Sequence, residues 1–254
     1  MSLRRPTVPT AMLVAAVVAS SGCGATSAET SGEVVVLAAG SLTEAFTAIE
    51  VEFEIENPKT DLVVSFGSSS SLATQVNNGA PVDVFASADG RNMDKVVSEG
   101  LAVGKPEVFA SNTLEIVVPA GNPGQIEDLD DLVAPELILA LGAPEVPVGR
   151  AAREALTRAG IRVPETSQEP DVKAVMSRVQ LGQADAGIVW TTDVLAAGDQ
   201  VSGVPVPAEY NVRSDYPIAL ISTGRNREGA REFIALVRSD RGGQVLAEHG
   251  FGMG

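Results

Sequence analysis

Apolar and polar residues along this chain alternate between two periods, one typical of strands and one typical of helices. Short β-branched runs predict buried strands, and each is followed by residues whose apolar positions recur at helical spacing. The predicted strands span residues 34–38, 62–66, 82–87, 114–118, 137–141, 186–190 and 216–221. The predicted helices cover residues 41–57, 69–79, 93–97, 150–159, 172–179 and 228–239, and 142–149 is predicted as a loop. Such alternation indicates an α/β protein with mainly parallel sheets flanked by helices.

The pattern also divides the chain into two lobes. A turn-rich cluster at 119–124 closes one set of strands and helices, and a second set follows without a long linker. We expect residues 33–112 and 222–254 to form one lobe and residues 113–221 to form the other. The chain would then cross between the lobes near 110–118 and again near 215–222. A ligand is expected between the lobes, at the ends of their strands.

Two predicted helices begin with neutral, donor-rich turns. Four consecutive serines, Ser68 to Ser71, follow the second strand, and Ser41 follows the first. Ser41 is predicted to cap its helix, with Glu44 completing a capping box. One serine suffices as a cap, so the additional hydroxyls of the second turn favour donors that face a ligand. Because helix starts also offer unpaired backbone N–H groups, the two turns together indicate an anion site.

The charge of the chain restricts the possible partners. The 254 residues carry a formal net charge of −15. Without the two arginines of the N-terminal leader, 16 basic residues remain against 33 acidic ones, a net charge of −17. This balance argues against nucleic acid as a partner. An anion would have to be held by local dipoles, against the field of the whole protein.

The N-terminus is typical of an exported protein. Arg4 and Arg5 precede an apolar run at 11–19, so residues 1–22 are predicted to be a signal peptide. Cys23, the single cysteine, stands where a bacterial lipobox places the acylated residue, although Ser20 occupies the position usually held by leucine. We expect residues 23–32 to form a lipid-anchored tether on the outer face of the cell membrane. The alternative is a periplasmic or secreted protein whose Cys23 is not acylated.

Several segments resemble, in order, the molybdate-binding proteins of bacterial ABC importers. In the first predicted lobe they are 38–43 (AAGSLT), 65–70 (SFGSSS) and 79–89 (GAPVDVFASAD). Further along the chain they are 144–149 (PEVPVG), 171–172 (DV), 187–190 (GIVW), 216–219 (YPIA) and 250–251 (GF). The resemblance implies a type II periplasmic-binding fold that closes on a tetrahedral oxyanion, molybdate or tungstate, with no cofactor. It also implies a membrane permease as partner and a monomeric protein.

The resemblance also implies the ligand contacts. Ser41 and Ser69 would donate through hydroxyl and backbone N–H groups from the first lobe, and Val148 and Val172 would donate backbone N–H groups from the second. Trp190 stands where the family commonly has a tyrosine, and its indole N–H is one donor placed differently. No side chain is expected to coordinate the metal atom directly.

The chemistry of molybdate agrees with such a donor set. Molybdate is a fully deprotonated dianion near neutral pH, so its oxygens only accept hydrogen bonds. Phosphate usually carries a proton and would require an acceptor, for which Asp171 is the nearest candidate, although Asp171 could equally cap a helix. Sulfate has the same charge and shape as molybdate but is smaller, and it remains an alternative ligand.

Other classes of function fit the sequence less well. The chain has neither a Gly-x-Ser-x-Gly elbow nor a cluster of histidines and cysteines, so catalysis on an oxyanion ester is disfavoured and the protein is not expected to be an enzyme. A third alternative is a lipoprotein that scaffolds other proteins without any ligand.

Overall fold

The computed structural model describes residues 32–163 and 166–254. The predicted signal peptide, Cys23 and most of the predicted tether lie outside the described residues. The strands are β1 (Gly32–Ala39), β2 (Thr60–Gly67), β3 (Val84–Ala86), β4 (Ala102–Asn112), β5 (Leu114–Pro119), β6 (Leu139–Gly142), β7 (Thr166–Glu169), β8 (Ala186–Trp190), β9 (Val201–Pro205), β10 (Ser214–Ile221) and β11 (Gly252–Met253). The α-helices are α1 (Thr43–Glu56), α2 (Ser69–Asn77), α3 (Gly90–Ser98), α4 (Pro147–Ala159), α5 (Val172–Gln180), α6 (Thr191–Ala197), α7 (Arg227–Val237) and α8 (Asp240–Glu248).

The first lobe is built on a sheet with strand order β11-β4-β10-β3-β1-β2. The apolar residues of α1 and α7 pack on one another beside this sheet, and Phe46, Phe53 and Phe233 are almost fully buried. The ring of Phe233 lies edge-on to both other rings, with centroids 5.6 and 5.7 Å apart. Such edge-to-face pairs add to the burial of apolar area, so this cluster fixes how α1 sits on the sheet.

The second lobe is built on a sheet with strand order β7-β6-β8-β5-β9. Its core contains the apolar faces of α4 and α5 and all five residues of β8, which are buried. β8 therefore reads as a continuous apolar run because both of its faces are covered.

The structure confirms an α/β fold with two sheets flanked by helices, but the sheets are mixed rather than mainly parallel. β1 pairs in parallel with β2 and β3, whereas β10 is antiparallel to β3 and β4. In the second lobe β6 is parallel to β7 and β8, whereas β5 is antiparallel to β8 and β9. The antiparallel pairs involve the strands that precede or follow a passage between the lobes.

One predicted boundary differs from the structure. The sequence division assigned residues 113–221 to the second lobe, but β10 lies within the first sheet, between β4 and β3. The chain therefore returns to the first lobe between β9 and β10, before the predicted crossing at 215–222. Apolar periodicity could not reveal this, because a buried strand has the same pattern in either sheet.

The predicted loop at 142–149 is also partly wrong. α4 begins at Pro147, three residues earlier than predicted, because proline at the first helical position needs no hydrogen-bond partner. Val148 therefore belongs to the first turn of a helix. Among the described helices, none combines the length and the apolar character required to cross a lipid bilayer.

Candidate functional site

Helix starts from both lobes converge on one cavity between the lobes. α2 begins at Ser69 in the first lobe, and α4 and α5 begin at Pro147 and Val172 in the second. A short 3-10 turn, Gly40–Leu42, leads into α1 at the same place. The lobes meet here, since a Cβ on Gly40 would lie 3.8 Å from the Cγ of Lys173 across the cleft. The positive ends of several helix dipoles therefore point toward one small volume.

The five residues implied by the resemblance all line this cavity: Ser41, Ser69, Val148, Val172 and Trp190. The cavity volume is about 20 Å³. A single water molecule needs roughly 10–15 Å³ on this scale, so the space suits a compact ion of a few atoms and excludes a sugar or a peptide. The structure thus brings together residues that are 149 positions apart in the chain, Ser41 and Trp190.

The Ser69 hydroxyl is arranged as a hydrogen-bond donor toward the cavity. Its oxygen accepts the backbone N–H of Ala88 at 2.9 Å, and the residue is almost fully buried. An accepted bond from a backbone N–H leaves the hydroxyl proton free for another partner. No side chain caps the first turn of α2 at its N-cap, Ser68, whose hydroxyl instead contacts that of Ser70 at 2.8 Å. The start of α2 therefore keeps its orphan N–H groups for a ligand.

The predicted capping box at Ser41 is wrong. Ser41 lies in the 3-10 turn, and the N-cap of α1 is Leu42, which makes no side-chain cap. The Ser41 hydroxyl instead contacts the phenolic oxygen of Tyr216 at 2.9 Å. Glu44 points across the cleft and accepts two hydrogen bonds from Lys173, at 2.9 and 3.0 Å. Glu44 therefore pairs with Lys173 of the other lobe and does not form the predicted capping box with Ser41.

Val148 and Val172 contribute helix starts rather than side-chain chemistry. Val172 is the first residue of α5, and Val148 follows Pro147 in α4. The next residue, Gly149, is required for this placement, since a Cβ there would lie 2.2 Å from the carbonyl oxygen of Gly142. Arg153 reinforces the contact by donating from one Nη1 to the carbonyl oxygens of Gly142 and Gly149, both at 2.7 Å. The start of α4 is therefore held tightly against β6.

Asp171 is the one charged residue that lines the cavity among the described residues. Its carboxylate accepts the backbone N–H of Ala174 at 2.8 Å and caps α5. The sequence left open whether Asp171 is a cap or an acceptor for a protonated ligand, and the structure places it as a cap. Aside from this carboxylate, the cavity wall consists of neutral residues.

Trp190 ends β8, and only 1% of its surface is exposed. Its ring packs edge-on against the ring of Tyr216, with centroids 6.3 Å apart. Within the described part of the chain, no acceptor takes a hydrogen bond from the indole N–H of Trp190.

The sequence matches the model of a protein family described as bacterial extracellular solute-binding protein over residues 34–252. The chain belongs to this family.

Among its relatives, the molybdate-binding protein ModA of Mycobacterium tuberculosis H37Rv is 40% identical over 249 residues, which is 95% of this chain and 94% of the relative. The ModA protein of Haemophilus influenzae is 33% identical over 231 residues, 87% of this chain and 90% of the relative. The resemblance to the binding proteins of molybdate ABC importers is thereby confirmed.

Solved structures support the same fold. The periplasmic molybdate-binding protein of Azotobacter vinelandii superposes with a TM-score of 0.76 at 21% identity, covering 87% of this chain and 99% of that one. The sulfate-binding protein SubI of Mycobacterium tuberculosis superposes with a TM-score of 0.79 at 16% identity, covering 87% and 86%. At these identities the likeness concerns the fold alone.

Sequence reasoning missed the charged groups just outside the cavity of this solute-binding protein. Lys173, next to Val172, contacts Glu44 of the first lobe and also lies 3.2 Å from the carboxylate of Asp193 in α6. In a second pair, Arg150 of α4 binds Asp89, the N-cap of α3. Both pairs join the two lobes. The partners are 129 residues apart in the Lys173–Glu44 pair and 61 residues apart in the Arg150–Asp89 pair, so no short sequence motif indicates either contact.

The charged form of the buried Asp193 carboxylate is stabilised by Lys173. The Asp193 side chain is 1% exposed, and Lys173 is its only ion-pair partner among the described residues. Burial raises the pKa of Asp193 to about 6, against the opposing effect of the Lys173 ammonium. Burial alone would lower the pKa of Lys173, but Asp193 and Glu44 raise it. The two residues thus stabilise each other's charged forms.

We expect Lys173→Gln to lower the free energy of unfolding of the ligand-free protein in a pH-dependent way. Removing one partner of a buried pair leaves an uncompensated charge, and we expect a loss of up to about 3 kcal/mol at pH 8. Without Lys173 the pKa of Asp193 rises further. Because the folded protein then binds the proton more tightly than the unfolded chain, the lost stability returns as the pH falls through that pKa toward 5.

Urea denaturation at pH 8 and pH 5 measures this effect. The matched control is Lys105→Gln, the same change at an exposed residue of β4, which should alter stability little at either pH. An equal loss for Lys173→Gln at both pH values would show that Asp193 is not the group left unpaired.

Proposed function

We propose that this protein captures molybdate or tungstate outside the cytoplasm and delivers it to an ABC importer in the membrane. The observation that carries the proposal is the cavity itself, in which Ser41, Ser69, Val148, Val172 and Trp190 surround a space of about 20 Å³. The relatives that are 40% and 33% identical over nearly the whole chain are molybdate-binding proteins. We assign the five residues as the ligand contacts.

The donor character of the cavity supports an anion that only accepts hydrogen bonds. The Ser69 oxygen already accepts the N–H of Ala88, so its proton is available to a ligand, and the starts of α2 and α4 have no side-chain caps. Asp171, the one nearby acceptor, already bonds to Ala174. Hydrogen phosphate, which must donate a proton, would find a single carboxylate among the described residues of the cavity wall, and one oxygen of that carboxylate is already engaged in capping α5. A bound dianion would instead accept hydrogen bonds from these fixed donors. Hydrogen bonds to a charged group are roughly twice as strong as those between neutral groups.

Binding rather than catalysis follows from the same arrangement. The proposed ligand contacts are backbone N–H groups, two hydroxyls and an indole, and we assign none of them a role in breaking a bond. The ligand would bridge donors from both lobes and hold them together, and the permease would recognise the closed form. Closure of this kind requires that the anion bind the closed form more tightly than the open one.

We further propose that the protein is a monomer anchored to the outer face of the cell membrane through acylated Cys23. The position of this cysteine directly after the apolar run of the leader supports the anchor. A chain that begins its first strand at Gly32 would leave a short tether between lipid and fold.

Calorimetric titration of the mature protein with molybdate, tungstate, sulfate and phosphate tests the function. We expect tight binding of molybdate and tungstate and much weaker binding of phosphate, because the described cavity wall is rich in hydrogen-bond donors and contains a single carboxylate, that of Asp171. Sulfate binding tighter than that of molybdate would instead identify a sulfate carrier. Absence of heat with all four anions, together with an unchanged scattering profile, would favour a scaffold protein without a ligand.

Ser69→Ala should weaken molybdate binding by a factor of about 10–100, because a hydrogen bond to a charged group contributes roughly 1.5–3 kcal/mol. Ser71→Ala is the matched control, since Ser71 belongs to the same serine run but is exposed and does not line the cavity. Titration calorimetry of both variants gives the comparison. Equal affinities for the two variants would remove Ser69 from the site.

Cys23→Ala should transfer the protein from the membrane fraction to the medium or periplasm. The reason is that the thiol is the acyl acceptor, and without two acyl chains the protein loses stable anchorage. Fractionation with a palmitate label measures the change in expressing cells. A variant that stays in the membrane fraction, or a wild-type protein without label, would contradict the lipid anchor.

A further inference from the structure

A buried hydrogen-bond chain lies directly behind the candidate site. Tyr216 of β10 is fully buried, and its hydroxyl lies 2.9 Å from that of Ser41. The side-chain amide nitrogen of Asn112, at the end of β4, lies 3.4 Å from the same phenolic oxygen and 2.8 Å from the hydroxyl of Thr192. The chain therefore runs from Thr192 of the second lobe, through Asn112 and Tyr216, to Ser41 at the cavity.

The orientation of the Asn112 amide is fixed by its neighbour in sequence. Its carbonyl oxygen accepts the backbone N–H of Thr113 at 3.0 Å, and a backbone N–H can only donate. The amide nitrogen must therefore face Thr192 and Tyr216. An amide nitrogen only donates, so the phenolic oxygen of Tyr216 accepts on that side.

The direction of the next hydrogen bond follows. The phenolic proton of Tyr216 is buried, and the Ser41 oxygen is the acceptor within reach at 2.9 Å. If Ser41 donated instead, the buried phenolic proton would be left without a partner, which is unfavourable. Tyr216 therefore donates, and the hydroxyl proton of Ser41 is directed away from Tyr216, toward the cavity that Ser41 lines.

We propose that Tyr216 is a positioning residue for the anion site, which directs the hydroxyl proton of Ser41 toward the cavity by donating its own proton to the Ser41 oxygen. This inference rests on the proposed function. The Ser69 oxygen likewise accepts a hydrogen bond, in this case from the backbone N–H of Ala88, so its own proton is also available to a ligand. Both hydroxyls of the first lobe can thus donate to the ligand, and both favour a fully deprotonated one. Tyr216 itself does not line the cavity and acts only through Ser41.

The surroundings of Tyr216 keep its ring in place without the hydroxyl. Its ring packs edge-on against Phe251 at 5.4 Å and against Phe109 at 6.5 Å between centroids, in addition to Trp190. Tyr216→Phe retains these contacts and removes only the hydroxyl. The variant is therefore expected to fold, and it isolates the effect of the hydrogen bond on Ser41.

A double-mutant cycle with molybdate as the probe tests the inference. Tyr216→Phe should weaken molybdate binding about tenfold, because the Ser41 proton is no longer directed toward the anion. In a Ser41→Ala background the same change should have almost no effect on affinity, since no hydroxyl remains to be positioned. Tyr210→Phe, at the other tyrosine of the chain, should leave affinity unchanged.

Each outcome separates a positioning role from a structural one. An equal loss of affinity with and without Ser41 would mean that Tyr216 acts through packing, and the proposal would be wrong. Unchanged affinity of Tyr216→Phe would also overturn it. A wild-type protein that does not bind molybdate would refute the proposed function instead, and that result is recognised before any variant is made.

Discussion

Under the proposed function, the structure depends on one electrostatic constraint, which is that a strongly acidic protein must enclose an anion without a cation in contact with it. The formal net charge is −15, and the residues that line the cavity include no lysine or arginine. The available attraction comes from oriented dipoles at the starts of α2, α4 and α5 and from hydroxyl donors. Fixed dipoles act at short range, so the lobes must bring these helix starts to within contact of one ion.

Two cations close in sequence to cavity-lining residues form ion pairs with carboxylates of the protein and do not line the cavity. Lys173 and Arg150 each follow closely on a cavity-lining residue of the second lobe, and each is paired with a carboxylate of the first lobe. Each pair crosses the cleft between the lobes. Because the Lys173–Glu44 pair is partly exposed to water, we expect it to contribute little to holding the lobes together. Under the proposed function, the ligand that bridges the lobes would be the larger interaction.

The sequence was sufficient for the local features of the site and insufficient for its long-range contacts. The serine turn, the strand ends and the five cavity residues were identified because each lies in a short motif or in a resemblance carried by such motifs. The role of Glu44 was predicted wrongly, because a capping box and a cross-lobe ion pair begin from the same spacing of Ser41 and Glu44. The contact of Tyr216 with Ser41 joins residues 175 positions apart, and β10 pairs with strands that are distant in the chain, so no periodicity applies to either.

A tryptophan at position 190 is consistent with a cavity that is rich in hydrogen-bond donors. In the family that this chain resembles, the position is commonly a tyrosine, whose phenol can both donate and accept. An indole N–H can only donate a hydrogen bond, so a tryptophan at this position offers the ligand a donor and no acceptor. The phenol of this region is instead Tyr216, which stands behind Ser41 and packs against the Trp190 ring. A phenol kept out of the cavity can still act on the ligand, because it determines which way the serine hydroxyl in front of it points.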